Sequence, residues 1–91
     1  MGSTQSFIKD PDAILDYAID WSLWLNGDTI ATSTWTVATG LTKTTDYHTD
    51  SIATIWLSGG TAGTEYTCAN KITTAGGRTD ERTLTFTVEN K

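Results

Sequence analysis

The sequence predicts an all-β fold, namely an immunoglobulin-like or fibronectin-III-like antiparallel β-sandwich of about six or seven strands. Threonine is the most frequent residue and the chain contains a single Pro, a composition typical of pleated sheets. Turn signals separate short apolar runs along the chain. Residues 82–88 alternate strictly, with Leu84, Phe86 and Val88 on one face and threonines on the other. This period of two indicates a strand that packs one face on a core. A small barrel is the alternative architecture.

The best-defined element is a hairpin near the C-terminus. Residues 64–73 are rich in β-branched and aromatic side chains, and Gly76-Gly77 supplies the positive φ of a tight reversal. Tyr66 stands at the start of its strand, which predicts a tyrosine corner with a buried ring and a hydroxyl bonded to upstream backbone. Cys68 has no partner cysteine for an intrachain disulfide, so we expect a buried free thiol.

The length of 91 residues predicts one domain with one core and a small stability margin. Residues 1–6 are polar and are assigned to a flexible N-terminus, and residues 7–89 to a single β-sandwich domain. Phe7-Ile8-Lys9 predicts a short edge strand. Asp10-Pro11-Asp12 predicts a turn, because Pro fixes φ and Asp can bond its own backbone.

Two further strands are predicted around a turn at Asn26-Gly27-Asp28. Alternating aromatic and aliphatic residues favour a strand over residues 14–25, although Ile19 and Leu23 would also share one stripe of a helix. The next strand, over residues 29–37, places four residues on one face: Ala31, Ser33, Trp35 and Val37. Trp35 is expected to be the central aromatic of a core that also contains Tyr66, Leu84 and Phe86.

The predicted strand over residues 49–57 is apolar on both faces. Residues 38–50 before it are polar and are interpreted as a connection with at most a short strand near Leu41. Within the strand, Ile52 and Trp56 face one way, and the other face carries Ala53, Ile55 and Leu57. This pattern indicates that one face packs on the core and that a partner protein covers the other.

The composition argues against nucleic-acid and membrane partners. The net charge is −5 and the pI about 4.4, whereas a phosphate backbone requires clustered Lys and Arg. No apolar run reaches transmembrane length. The single His, His48, lies in a polar segment, and the Gly-Gly pairs lack the Lys of a phosphate loop. Since catalysis needs a convergent set of groups, we expect a protein that is not an enzyme and has no cofactor.

Metal binding is also not predicted. One Cys and one His cannot form a zinc site. Four aspartates near the N-terminus raise the question of calcium, but their spacing lacks the Gly and the terminal Glu of an EF-hand loop. Turn and surface carboxylates are the favoured interpretation of these residues: Asp10, Asp12, Asp16 and Asp20.

Four Trp residues are many for one small core. In one interpretation all of them are buried. In the other, Trp24 or Trp56 belongs to a protein–protein interface, where Trp is enriched. Together with the Phe7-Ile8 arm, they give the candidate interface residues Phe7, Ile8, Trp24 and Trp56.

Several short motifs follow one another from Lys9 to Val88. They are Lys9-Asp10-Pro11-Asp12-Ala13, Leu15-Asp16-Tyr17, Ile19-Asp20-Trp21, Gly27-Asp28-Thr29-Ile30, Trp56-Leu57-Ser58-Gly59-Gly60-Thr61-Ala62-Gly63 and Ile72-Thr73-Thr74-Ala75-Gly76-Gly77-Arg78-Thr79-Asp80. In this order they resemble a family of small tailed-bacteriophage structural proteins of the fiber-tail adaptor type. The resemblance implies a non-enzymatic virion component and carries no residue-level binding site.

From the phage context we expect a multi-copy protein, in a homo-oligomeric ring beside portal, tail or fiber proteins, because closed rotational symmetry is the usual way such units repeat. A single Cys agrees with assembly in the reducing cytoplasm of the bacterial host. The alternatives are a capsid decoration protein and an immunoglobulin-like module that binds a host surface or glycan. The sequence does not separate a head from a tail location.

Overall fold

The computed structural model describes residues 4–90, which form seven strands and one short helix. The elements are β1 (Thr4–Lys9), β2 (Leu15–Asp20), α1 (Ser22–Leu25), β3 (Ile30–Val37), β4 (Leu41–His48), β5 (Ile52–Gly59), β6 (Glu65–Thr74) and β7 (Thr79–Val88). They build a four-stranded sheet in the order β1-β7-β6-β3 and a three-stranded sheet in the order β2-β5-β4. The prediction of an all-β fold with two sheets is confirmed. The pairing is not wholly antiparallel, because β1 runs parallel to β7.

One core lies between the two sheets. Tyr17 of β2 meets rings from the other sheet, with centroid distances of 5.0 Å to Phe7 and 4.6 Å to Phe86. The four predicted core residues are all buried: Trp35, Tyr66, Leu84 and Phe86. Such burial is the dominant favourable term in folding.

The β6–β7 hairpin has the predicted alternation. Cys68 lies opposite Leu84 and Tyr66 opposite Phe86, and all four side chains are buried. The threonines between the buried residues of β7 face outward. The Tyr66 hydroxyl accepts a hydrogen bond of 2.9 Å from the Thr61 backbone N–H, so the predicted tyrosine corner is confirmed. A Cβ on Gly40 would lie 2.6 Å from the Tyr66 ring, so a residue without a side chain is required there.

Cys68 is a free, fully buried thiol, as predicted. Burial raises its pKa to about 11, so the reactive thiolate is scarce at neutral pH. We expect a thiol reagent to label Cys68 slowly in the native protein and rapidly in denaturant. Mass spectrometry of timed, quenched samples measures both rates, and rapid labelling of the native protein would contradict the assignment.

The strand predicted over residues 14–25 is wrong in its second half. β2 ends at Asp20, whose carboxylate accepts a 2.9 Å hydrogen bond from the Ser22 N–H as α1 begins. Asn26, with a φ of 48°, then ends the helix in the left-handed conformation. This helical turn leaves Leu23 96% exposed.

The predicted face of β3 is wrong at Ala31. The register shifts between Ile30 and Thr32, which turns Ile30 into the core and leaves Ala31 exposed. After the irregularity the predicted face is kept, and Trp35 is buried.

The interpretation of residues 38–50 as a connection is also wrong, because residues 41–48 form β4 at the edge of the three-stranded sheet. Only Leu41 of this strand is buried. A second irregularity, between Lys43 and Thr45, interrupts its pairing with β5.

The predicted edge strand at Phe7 is present as β1, and it begins at Thr4, within the segment assigned to a flexible N-terminus. Met1, Gly2 and Ser3 lie outside the described residues. Lys9 at the end of β1 is buried, and its ammonium group donates to the carbonyl oxygens of Gly59 at 2.8 Å and Asp10 at 2.9 Å. Desolvation lowers the Lys9 pKa, although Asp10 and Asp12 act in the opposite direction. The predicted turn follows, with the Asp12 N–H bonded to the Asp10 carboxylate at 2.8 Å.

Candidate interface surfaces

The outer face of the three-stranded sheet carries the candidate residue Trp56. In β5, the residues Ala53, Ile55 and Leu57 are completely buried in the core, so Ile52 and Trp56 lie on the opposite face. Both are half-buried. One face of β5 therefore packs on the core as predicted.

Cross-strand pairing surrounds the outward residues of β5 with neighbours from both edge strands. Trp56 lies opposite Asp16 of β2 and Thr45 of β4, and Thr54 lies opposite Ala18 and Tyr47. Tyr47 is 53% exposed. We call the apolar members of this face the outer patch: Ala18, Tyr47, Ile52 and Trp56.

Acidic side chains border the outer patch on the β2 side. Asp16 and Asp20 are exposed there, and Asp20 lies opposite Ile52. Hydrogen bonds from the Ser22 backbone N–H and hydroxyl hold the pKa of Asp20 below its usual range, so its charge persists in mild acid. On β4, Asp46 and Lys43 form an ion pair of 2.9 Å, but they lie opposite the core residues Ile55 and Leu57 and therefore do not border the patch. The patch thus combines an apolar centre with a net negative margin.

Trp24 is held within the molecule by an arginine–tryptophan ladder formed by Arg82, Trp21, Trp24 and Arg78. The Arg82 guanidinium lies 4.2 Å from the Trp21 ring centroid, the two Trp centroids are 5.4 Å apart, and the Arg78 guanidinium lies 4.4 Å from Trp24. Such cation–π contacts are worth about 0.5–1 kcal/mol each at exposed sites.

Arg78 also fixes the end of α1. Its Nη2 donates a 2.6 Å hydrogen bond to the Leu25 carbonyl oxygen, and its Nε lies 3.4 Å from the Asp28 carboxylate. Hydrogen bonds from the Thr74 side chain and the Thr29 backbone are the main causes that lower the Asp28 pKa. These contacts give half-buried Trp24 a structural role in joining α1 to the hairpin.

The Phe7-Ile8 arm is divided between the core and the surface. The Phe7 ring stacks on Phe86 at 5.5 Å and packs on Tyr17, so it completes the core. Ile8 is 54% exposed beside Thr87, on the outer face of the four-stranded sheet. The structure therefore does not bring Phe7, Ile8, Trp24 and Trp56 together, and of the four only Trp56 lies in the outer patch.

Tyr47 and Ala18 were not among the predicted interface residues. Tyr47 was missed because its strand was interpreted as a connection. The sequence feature that could have indicated a strand is the β-branched and aromatic pair Thr45 and Tyr47, which are two residues apart. Ala18 becomes part of the patch only through its pairing with β5, which is a non-local feature.

The described part of the chain shows no constellation for catalysis or metal binding. Among residues 4–90, no three His, Cys, Asp or Glu side chains converge as a metal site, and the surface has no concave pocket. His48 is exposed, with its Nδ1 2.9 Å from the Thr49 carbonyl oxygen. In the same range, no helix has the length and apolarity needed to cross a membrane.

A family model described as Podophage GP4 fiber-tail adaptor protein gp77 matches residues 9–87. This range includes every element from β2 to β6 and nearly all of β7. No curated protein matches the chain at a significant level. The match agrees with the resemblance seen in the ordered motifs of the sequence.

Proposed function

We propose that this chain, which belongs to the podophage GP4 fiber-tail adaptor family, is a non-enzymatic virion protein that joins tail and fiber proteins through its outer patch. Membership in a fiber-tail adaptor family supports a structural role in the bacteriophage tail. One observation supports this contact surface: Trp56 lies half-buried on the central strand of the sheet, and its side chain is on the outer face. Trp and Tyr are enriched among the residues that dominate binding energy at interfaces.

The chemistry of the outer patch defines the partner surface that fits it. Trp56, Tyr47 and Ile52 favour an apolar surface, whereas exposed Asp16 and Asp20 favour neighbouring Lys or Arg residues. Such a rim of charge mainly accelerates association and excludes wrong partners. We therefore propose a partner with an apolar contact centre and a basic margin.

The strand order supports an immunoglobulin-like sandwich as the scaffold, formed by a single domain that extends the predicted range of residues 7–89 to the start of β1 at Thr4. In constant-type immunoglobulin domains one sheet contains strands CFG and the other ABED. Here β3-β6-β7 and β2-β5-β4 take the places of CFG and BED, and β1 joins β7 instead of β2. The placement of β4 beside β5, in the position of strand D, favours this class over a fibronectin-III-like one.

We further propose that the chain acts in multiple copies, arranged as a ring in the particle after assembly in the host cytoplasm. Repetition of a small unit would match a symmetric tail, and closed rotational symmetry is the usual way in which such units repeat. Cryo-electron microscopy of the particle gives the copy number. It also distinguishes a tail location from capsid decoration.

A Trp56→Ser phage tests the outer patch. We expect the isolated variant to unfold cooperatively, because Trp56 lies outside the core, and we expect the variant chain to be lost from purified particles. Immunoblots of particles and infectivity titres measure the second effect. The matched control is Leu23→Ser, which removes a 96% exposed apolar side chain of α1 that is not part of the outer patch.

Two results would contradict the proposal. Normal incorporation and infectivity of the Trp56→Ser phage would exclude Trp56 as an interface anchor. Absence of the wild-type chain from purified virions would exclude the structural role itself. Binding of the isolated domain to a glycan array would then favour a host-recognition module.

A further inference from the structure

The two sheets differ in how their edge strands are protected against pairing with another chain. In the three-stranded sheet, β2 presents exposed Asp16 and Asp20, and β4 carries the Lys43–Asp46 ion pair. The irregularity between Lys43 and Thr45 further interrupts the β4 edge. Charges and bulges are the usual devices that keep sheet edges from pairing.

Both edges of the four-stranded sheet lack these exposed charges. β3 contains no charged residue from Ile30 to Val37. The only charged residue of β1 is Lys9, and its ammonium group is buried against the carbonyl oxygen of Gly59. β3 has an irregularity only at its start, where the Ile30 N–H bonds to the Asp50 carbonyl oxygen at 2.8 Å. Beyond it, residues 32–37 pair with β6 alone among the described strands.

We propose that copies of this chain join head to tail, with the β3 edge of one copy pairing with the β1 edge of the next. β1 and β3 stand at opposite ends of the same sheet, so the contact links two different surfaces. Heterologous contacts of this kind generate rings when the rotation closes. The inference deepens the multi-copy assembly proposed above and rests on it for its role in the particle.

The strand directions determine the geometry of the shared sheet. β1 runs parallel to β7, and β3 and β7 both run antiparallel to β6, so β1 and β3 point the same way. In a ring whose rotation axis runs parallel to the strands, the β3 strand of each copy therefore pairs in parallel with the β1 strand of the next copy. The β1–β7 pair of each copy already uses this kind of pairing.

The side chains at the two edges are compatible with this junction. Ser6 of β1 lies opposite Thr85, and Thr34 of β3 lies opposite Lys71, on the outer face of the sheet. Both Ser6 and Thr34 are exposed. Their meeting places short hydroxyl side chains together and brings no like charges into contact, which favours cross-strand pairing.

Cross-linking of single-cysteine variants tests which edges meet. Ser6→Cys and Thr34→Cys are purified separately and treated with a short bis-maleimide, which tolerates a small shift in register. Native Cys68 is buried and its pKa is raised to about 11, so the introduced thiol is the reactive one. We expect an equimolar mixture to give a cross-linked dimer and each variant alone to give little. Self-cross-linking of Thr34→Cys at the level of the mixture would overturn the proposal in favour of a two-fold β3–β3 dimer.

Sedimentation of charge variants tests the same junction without cross-linking. We expect the wild-type chain to form assemblies larger than a dimer as its concentration rises. Ser6→Glu and Thr34→Glu each block one edge, and Thr34→Glu faces Lys71 within its own sheet, so it remains compatible with the fold. Each variant alone should be monomeric, and their mixture should stop at a one-to-one dimer.

A wild-type chain that stays monomeric at every concentration would overturn the proposal. So would unchanged self-association of both charge variants, provided that each unfolds cooperatively. These outcomes are separate from those of the proposed function, because they concern the isolated chain. If the Trp56→Ser chain is lost from particles but still self-associates in isolation, both proposals are supported. The reason is that the outer patch and the β1 and β3 edges are different surfaces.

Discussion

Replacing Phe86 by Ala is expected to destabilise the domain by about 3–5 kcal/mol, close to the entire free energy of unfolding of a domain this small. Phe86 is completely buried, and its ring contacts Tyr17 at 4.6 Å and Phe7 at 5.5 Å. It therefore joins the two sheets and also secures β1 to β7. Urea unfolding followed by Trp fluorescence measures the change.

Thr85→Ala is the matched control for Phe86→Ala, because Thr85 is the neighbouring residue on the outer face of the same strand. Its expected effect is within about 0.5 kcal/mol, as for most surface substitutions. If Phe86→Ala does not fold, Phe86→Leu keeps part of the apolar volume and should give a measurable, smaller loss. A cooperative transition of Phe86→Ala at a nearly unchanged urea concentration would show that Phe86 is not central to the core.

The elements that were predictable from sequence are those with one buried and one exposed face. The alternation predicted the inward residues of β6 and of the second half of β7. β7 begins at Thr79, three residues before the predicted strand, because residues 79–83 include no buried residue that would mark an alternating face. Tyr66 was recognisable because a tyrosine corner depends on position at the start of a strand. Trp35 could be assigned to the core for the same reason as the alternating residues of β7.

The errors occur where local pattern carries little information. β4 has one buried residue, Leu41, so no apolar period marks it as a strand. Asp20 ends β2 by bonding Ser22, although the apolar pattern continues into α1. The irregularity at Ala31 changes which face the start of β3 presents, and nothing in the composition of that segment indicates it.

The candidate surface was predictable only at its centre. Trp56 was identified because β5 is apolar on both faces, which is a local property of the strand. Its neighbours Ala18, Asp16 and Tyr47 come from strands distant in sequence, and only the register of the sheet brings them to the patch. Trp24 and Trp56 were both candidates because four Trp residues are many for one small core. In the structure, however, the Trp24 ring packs on Arg78 and Trp21 of the same chain.

The polar centre of the core was not predicted from the sequence. Asn70 is completely buried in β6, where its side-chain oxygen accepts a 3.0 Å hydrogen bond from the Trp21 indole N–H. Its side-chain nitrogen donates to the Ser33 hydroxyl at 2.9 Å and to the Thr34 carbonyl oxygen at 3.3 Å. One side chain thus joins β6 to β3 and to the residue that precedes α1.

Replacing Asn70 by Leu is expected to destabilise the domain by about 1–3 kcal/mol, the cost of leaving one buried polar group without a partner. Leu fills a similar volume, but it leaves the indole N–H of fully buried Trp21 without an acceptor. Chemical denaturation of the single variants Asn70→Leu and Trp21→Phe, and of the double variant, isolates the interaction. Trp21→Phe removes the N–H, so the two losses should be less than additive, by about 0.5–3 kcal/mol as for residues in contact. Strict additivity, or an Asn70→Leu variant as stable as the wild type, would show that this hydrogen bond does not stabilise the sandwich.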